Sequence, residues 1–292
     1  MAMAMVPPMQ GRLCLVTGAS NGIGRAAALE LAGMGAGLVL LCRDRARGEA
    51  AMAEISQRSG NRDVALLVAD LSSQRQIRAA AAAFLELGRP LHVLLNNAGA
   101  IHAKRTLTED GIETTFAVNH LGPFLLTRLL LGRLRESGPA RIVTVASELH
   151  RRGYGGGRIA LDDLNGERQY GGWRAYGQSK LANILFTREL ARRLDGAGVT
   201  ANAVHPGVVA TGFGRNNRTG WMPYLQALYR PFSRSPGKGA ETLVWLASAP
   251  QLEAVSGRYF QDRKERPPAP QARHDGDARR LWDISERMTG LA

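Results

Sequence analysis

Tyr176 and Lys180 stand four residues apart in Tyr176-Gly177-Gln178-Ser179-Lys180, at the start of a strongly helical stretch, and so share one helix face. A free tyrosine has a pKa of about 10 and is a poor base at neutral pH. A nearby ammonium stabilises the phenolate and lowers that value, so that Tyr176 can exchange a proton with a carbinol or carbonyl oxygen. Alone, this pair is an ordinary solvated helix face; its neighbours change the reading. Ser147 follows an apolar run at 142–145, at the strand end where open α/β sheets bind ligands, and can donate to a substrate oxygen. Asn119, in Val118-Asn119-His120, lies in a helical stretch that gives no local reason for an amide. It is either a satisfied core amide or a water-bridging group that extends a proton relay from Lys180.

A second set of residues suits a phosphate. The run Thr17-Gly18-Ala19-Ser20-Asn21-Gly22-Ile23-Gly24 links an apolar strand to a helix. Glycine permits tight or left-handed turns and close approach of a ligand to the backbone. The helix start offers unpaired N–H groups and partial positive charge to a pyrophosphate. The spacing is G-x-x-x-G-x-G rather than the G-x-G-x-x-G fingerprint. The next strand ends Leu41-Cys42-Arg43-Asp44-Arg45. A carboxylate closing that strand would hold the ribose hydroxyls of NAD. The first polar residue is instead Arg43, whose guanidinium suits a 2′-phosphate, with Ser20 and Arg47 able to assist. NADP(H) is therefore expected in preference to NAD(H); Asp44 argues the other way, and Arg43 could simply cap a strand at the surface.

These groups need a scaffold. Apolar runs at 13–16, 38–42, 64–68, 91–95, 142–145 and 199–204 are continuous rather than alternating, as in a parallel sheet covered on both faces. Helical periods fall between them near 23–34, 46–58, 73–87, 109–135 and 174–195. The pattern predicts a single α/β domain over 11–292, a Rossmann-type doubly wound parallel sheet, preceded by a tail at 1–10. Two long loops break the rhythm. Residues 148–172 are rich in Gly and Arg, and His150, Arg151, Arg152 and Tyr154 read as solvated loop residues or as a rim to the entrance. Residues 208–236 read as a substrate lid, with Phe213, Trp221, Met222, Tyr224, Leu225 and Leu228 available for an apolar pocket, or as a helix packed on the core. Pro267, Pro268 and Pro270 precede a short amphipathic segment with Leu281, Trp282, Ile284 and Met288, expected to dock as a helix after a stiff linker.

Composition narrows the classes. With 292 residues, 45 % hydrophobic and 22 % charged, the chain has neither a disordered nor a disulfide-scaffold composition. Cys14 and Cys42 sit in apolar runs, as small core residues do. No metal site is expected. No uncharged apolar stretch reaches the roughly 18 residues of a membrane span, and no signal peptide is read at the N-terminus; a cytoplasmic location is expected. The net charge of +13 comes from arginine, since all but four of the 38 basic residues are Arg. Such a field attracts anions. With the charges scattered, a phosphorylated cofactor is a better fit than nucleic acid, which would show steeply salt-dependent binding.

Taken together the chain resembles the short-chain dehydrogenase/reductase family over about 10–290. The motifs are Thr17–Gly24, Asp70-Leu71, Asn96-Asn97-Ala98-Gly99, Asn119, Ser147, Tyr176 with Lys180, and His205-Pro206-Gly207. The resemblance implies about seven strands, NAD(P) and an Asn119–Ser147–Tyr176–Lys180 tetrad. It further implies that Asp70 and Leu71 lie by the adenine and that Asn97, Ala98 and Gly99 flank a ribose. Pro206, Gly207, Val209 and Thr211 would lie beside the nicotinamide and pyrophosphate, and Tyr176 and Lys180 would also touch the cofactor. Within the family the chain looks most like the retinol dehydrogenase and WW-domain oxidoreductase group. The residues that carry this are Asp162-Asp163-Leu164-Asn165-Gly166-Glu167, Gln178-Ser179-Lys180-Leu181-Ala182-Asn183-Ile184-Leu185-Phe186 and Arg279-Arg280-Leu281-Trp282. Neither a membrane anchor nor a WW module is visible, so the reaction is implied more firmly than the substrate. The expectation is hydride transfer between NADP(H) and a hydrophobic ketone, aldehyde or alcohol, in a homodimer or homotetramer associating through the helices near 109–135 and 174–195. The competing expectation is a catalytically silent NADP(H)-sensing or scaffold protein on the same fold.

Overall fold

The structure, a computed structural model, describes residues 7–152, 158–209 and 233–292. Strand β1 (Leu13–Thr17) leads into α1 (Gly22–Gly33), β2 (Gly37–Cys42) into α2 (Arg45–Ser59), and β3 (Val64–Val68) into α3 (Gln74–Glu86). After β4 (Val93–Asn96) come a single helical turn, α4 (Thr114–Phe116), a π-turn at Ala117–Leu121, and α5 (Gly122–Glu136). Then follow β5 (Ala140–Val145), α6 (Gly172–Arg193), β6 (Val199–His205), α7 (Pro236–Ser248), β7 (Tyr259–Gln261), β8 (Lys264–Glu265) and α8 (Asp275–Met288).

Among the described residues the sheet order is β3-β2-β1-β4-β5-β6-β7-β8. Every neighbouring pair is parallel except β7 and β8. The expected doubly wound sheet is therefore present, with two corrections. The C-terminal edge carries a two-residue antiparallel β8, giving eight strands, and β7 was not read from the sequence. Both are too short to show an apolar run. The order reverses between β1 and β4, and the cleft outside their C-terminal ends is where such sheets take ligands.

Successive side chains of a strand point to opposite faces, and the core divides accordingly. Cys14 and Val16 face α1 and α7 with Leu31, Leu243 and Val244, while Leu13 and Leu15 face α3 and α5 with Phe84, Phe124 and Leu130. Both cysteines are free and buried in this core, and burial pushes the Cys14 thiol up to about 12. The helical reading near 109–135 is corrected at its start: 109–113 form a turn closed by the Leu107–Glu113 bridge, and the helix runs from Thr114, widening to a π-turn just where Asn119 and His120 turn into the core.

The proline-rich segment does end in a docked helix. Trp282 of α8 stacks on Phe186 of α6 (ring centroids 5.9 Å) and meets Phe124 of α5 edge-on at 5.1 Å. The Arg193 guanidinium carbon lies 4.3 Å over the Trp282 ring, and Arg128 pairs with Glu286. Helix α8 thus packs on α6 and reaches α5, two of the helices in the stretches through which association between copies is expected. No described helix is long and apolar enough to cross a membrane.

Candidate active site

The Gly-rich turn is built around close approaches. Gly18 and Gly22 hold positive φ (68° and 55°), the left-handed region that favours glycine. A Cβ on Gly24 would fall 2.4 Å from Asn97 Nδ2 and 2.5 Å from Gly18 O. Asn97 closes the turn from β4: its Nδ2 donates to Thr17 O (2.8 Å), while its backbone N–H and that of Ala98 donate to Thr17 Oγ1 (3.0 Å each). Asn97 therefore braces the turn with its side chain. At the start of α1, Asn21 makes no side-chain capping bond and the first turn holds no acid. The first N–H groups keep their partial positive charge. This cradle fits a dinucleotide pyrophosphate.

Around it the remaining cofactor candidates occupy the same sheet end. Arg43 is 73 % exposed in its side chain and stands 3.8 Å from Asp70 Oδ2. Asp70 Oδ1 accepts from Ser72 N and Oγ (2.8 Å each). Asp44, the residue that argued for NAD, caps α2 by accepting from Arg47 N at 2.9 Å. Ser20 hydrogen-bonds Cys42 at the end of β2. Leu71 is buried against Gly122, with its carbonyl 2.7 Å from where a Cβ on that glycine would lie. Gly207 has φ of 84°, next to Pro206. Val209 and Ile23 both pack over Gly239 at the start of α7. Thr211, the apolar candidates from Phe213 to Leu228, and Tyr154 lie outside the described residues.

The four tetrad positions come from three segments: Asn119 from the π-turn, Ser147 from beyond β5, and Tyr176 with Lys180 from α6. Helix α6 begins against the 100–103 loop, where a Cβ on Gly172 would lie 2.6 Å from His102 O. That contact sets the height at which Tyr176 and Lys180 enter the cleft. Tyr176 is half-buried and hydrogen-bonded to Ser147; its pKa is pushed up to about 12 by burial, opposed by that hydrogen bond. Lys180 is buried, donates to Val145 O (2.9 Å), and lies with Nζ 5.5 Å from the Tyr176 ring centroid. Burial pushes its pKa down to about 7. The expected lowering of Tyr176 by an adjacent ammonium is thus outweighed here by desolvation of both groups.

Asn119 and Lys180 converge on Gly99: a Cβ there would sit 3.4 Å from Asn119 Oδ1 and 3.6 Å from Lys180 Nζ. The Asn119 amide is largely engaged with protein. Oδ1 accepts from Ala100 N (2.7 Å), and Nδ2 donates to Ala100 O and Ser179 Oγ (2.9 Å each). Both N–H bonds being occupied, Asn119 fastens the loop after β4 to α6, and any water held by this amide must use the remaining lone pair of Oδ1.

The segment after Ser147 departs from expectation. His150 is fully buried (0 % exposed) rather than a solvated rim residue. Arg151 is exposed, as expected of a solvated residue, and pairs with Glu148 at 2.7 Å while donating to Pro267 O. The Asp162–Glu167 motif forms a turn: Asp163 Oδ1 accepts from Glu167 N, and Asn165 Oδ1 accepts from Glu113 N. Sequence reasoning also missed Asn183. Its Nδ2 shares Val145 O with Lys180 at 3.1 Å, and its spacing of seven from Tyr176 on one helix face was the available signal. No group of His, Cys, Asp or Glu suited to a metal occurs among the described residues.

Comparison with known proteins agrees with this geometry. The model of the short chain dehydrogenase family matches residues 12–159 and 152–220. The chain is 46 % identical to retinol dehydrogenase 14 of Mus musculus, over 97 % of this chain and 87 % of that protein. It is 44 % identical to dehydrogenase/reductase SDR family member 13 of Bos taurus, over 97 % and 74 %. Among solved structures, an uncharacterised protein of Mycobacterium paratuberculosis superposes with a TM-score of 0.77 at 33 % identity, covering 98 % of this chain and 96 % of that one. A short chain dehydrogenase of Burkholderia cenocepacia J2315 in complex with NADP gives 0.67 at 27 %, covering 87 % and 96 %. With its Gly-rich turn, its serine, tyrosine and lysine at one end of the sheet, and this similarity along nearly its whole length, the chain belongs to the short-chain dehydrogenase family.

Proposed function

We propose that the protein is an NADP(H)-dependent carbonyl reductase or alcohol dehydrogenase acting on hydrophobic ketones, aldehydes or the corresponding alcohols. The observation that carries the reading is the Tyr176–Ser147 hydrogen bond at the sheet end that also holds the Gly-rich turn, with Lys180 against the same ring. When bound, the nicotinamide supplies or accepts the hydride. The protein's residues do the rest. In reduction Tyr176 gives its phenolic proton to the carbonyl oxygen, and in oxidation it takes the carbinol proton. Ser147 orients that oxygen through its hydroxyl, while Leu149 N (3.3 Å) occupies one of the Oγ lone pairs. Lys180 in its ammonium form stabilises the phenolate left behind.

The choice of NADP(H) is supported by Arg43 standing open at the end of β2 and by Asp44 being spent on the α2 cap. The relatives named as retinol dehydrogenases support a lipophilic substrate class. The test is a panel of carbonyl compounds with NADPH and NADH side by side. The expected result is oxidation of NADPH by lipophilic aldehydes or ketones at a higher kcat/KM than with NADH. Tight NADPH binding without turnover across a broad panel would overturn the enzymatic reading, and equal use of both cofactors would overturn the role of Arg43.

A further inference from the structure

The segment that follows Ser147 is tied to the C-terminal part of the chain through one imidazole. Ser147 lies two residues beyond the end of β5, where the ladder no longer holds the backbone; the last bond of this kind runs from Ala146 N to Val204 O (2.8 Å). Past that point two donors from one residue converge on the Ser147 carbonyl: His150 N at 3.0 Å and His150 Nδ1 at 2.6 Å. The other ring nitrogen, Nε2, accepts from Ala269 N at 3.0 Å. A carbonyl accepts and a backbone N–H donates, so both bonds are satisfied together only by the neutral tautomer with its proton on Nδ1. The ring is further fixed by an edge-on contact with Tyr259 of β7 (5.2 Å), whose hydroxyl donates to Glu148 Oε1 at 2.9 Å.

We propose that His150, in this single tautomer, is the positioning residue for Ser147. It clamps the serine's carbonyl from below through Nδ1–H, and Ala269 N, by donating to Nε2, keeps the ring proton on Nδ1. It touches neither substrate nor cofactor. The proposal rests on the reductase reading for its kinetic arm alone, because the tautomer can be measured without turnover.

Two substitutions separate the two bonds. In His150→Asn the amide N–H falls where Nδ1–H stood, keeping the bond to Ser147 O and losing the acceptor for Ala269 N. In His150→Gln the longer amide reaches toward Ala269 and gives up the short donor to Ser147 O. Misplacement of a reacting group by about an ångström costs on the order of a hundredfold. The expected result is a kcat for His150→Gln reduced by about ten- to a hundredfold, with NADPH affinity and melting temperature close to those of His150→Asn, which keeps most of the activity. A His150→Gln variant as active as His150→Asn, or more so, would overturn the clamp and leave His150 a mere anchor for Ala269. Independently of activity, 15N chemical shifts of the intact protein at neutral pH should show one buried histidine protonated on Nδ1 only and absent from the spectrum of His150→Asn. A histidine at that position protonated on Nε2 would refute the assignment whether or not a substrate is found, and would leave the reductase reading untouched.

Discussion

Replacing Tyr176 by Phe removes one oxygen from the centre of the site and is the most direct test of the proton-transfer role. The phenol is half-buried and its hydroxyl has Ser147 as partner. Loss of that bond removes about 1 kcal/mol of net stabilisation. Water reaching the half-open position offsets part of it, so the melting temperature should fall by no more than about 4 °C. The ring that lies against Lys180 and Trp173 stays in place. The barrier responds differently. General acid–base catalysis contributes typically about 10²–10⁴-fold, equivalent to about 3–5 kcal/mol at 1.36 kcal/mol per tenfold. Turnover should drop by that factor while NADPH binding, followed by nucleotide fluorescence, stays within about twofold, since the turn braced by Asn97 is untouched. Turnover within a few-fold of the parent enzyme would remove Tyr176 as the proton donor. Joint loss of binding and turnover would show instead that the hydroxyl holds the fold of the cleft.

Four further outcomes are expected. Lys180 loses its proton at about 7 in the folded chain but at its ordinary 10.5 when unfolded, so the unfolded state binds more protons between those values and stability rises with pH across that window. Urea denaturation at pH 7.5 and 9.5 should show this rise in the parent and not in Lys180→Met. Arg43→Ala should weaken NADPH about tenfold, the low end for a charged hydrogen bond because the side chain is exposed, and leave NADH unchanged in parallel titrations. Gly24→Ala places a methyl 2.4 Å from Asn97 Nδ2 and should abolish measurable binding of either nucleotide by calorimetry while the far-ultraviolet dichroism stays that of the parent. Trp173, 41 % exposed, meets the Tyr176 ring edge-on at 6.5 Å. Its replacement by Ala should raise KM for lipophilic carbonyls about two- to tenfold, with the KM of a small hydrophilic aldehyde as the internal control.

Much of the scaffold was legible because its signals are local. Six strands follow from continuous apolar runs, and the helices between them from their period, with boundaries within a few residues of those observed. Strands β7 and β8 were not legible, since three and two residues carry no period and owe their pairing to β6. The helix at Pro236–Ser248 was hidden at the margin of a segment read as a lid, although Ser235 caps it by accepting from Lys238 N. For the site, residue types and spacing located Ser147, Tyr176 and Lys180. What the spacing did not carry was the balance of energies. Desolvation dominates both titrating groups, the Asn97 side chain braces the turn, and His150 is buried because Ala269, 119 residues later, supplies its second partner. Such contacts join distant parts of the chain, and no local pattern announces them.

The bracing of the Gly-rich turn bears on how a nucleotide arrives. Thr17 and Asn97 knit the end of β1 to the end of β4 through the protein's own bonds, on both backbone and side chain. The conformational freedom that a glycine-rich loop would otherwise surrender on capture has already been given up during folding. Recognition at this end of the sheet is then docking onto a finished mould, and differences in affinity between nucleotides report their own contacts rather than the cost of shaping the loop.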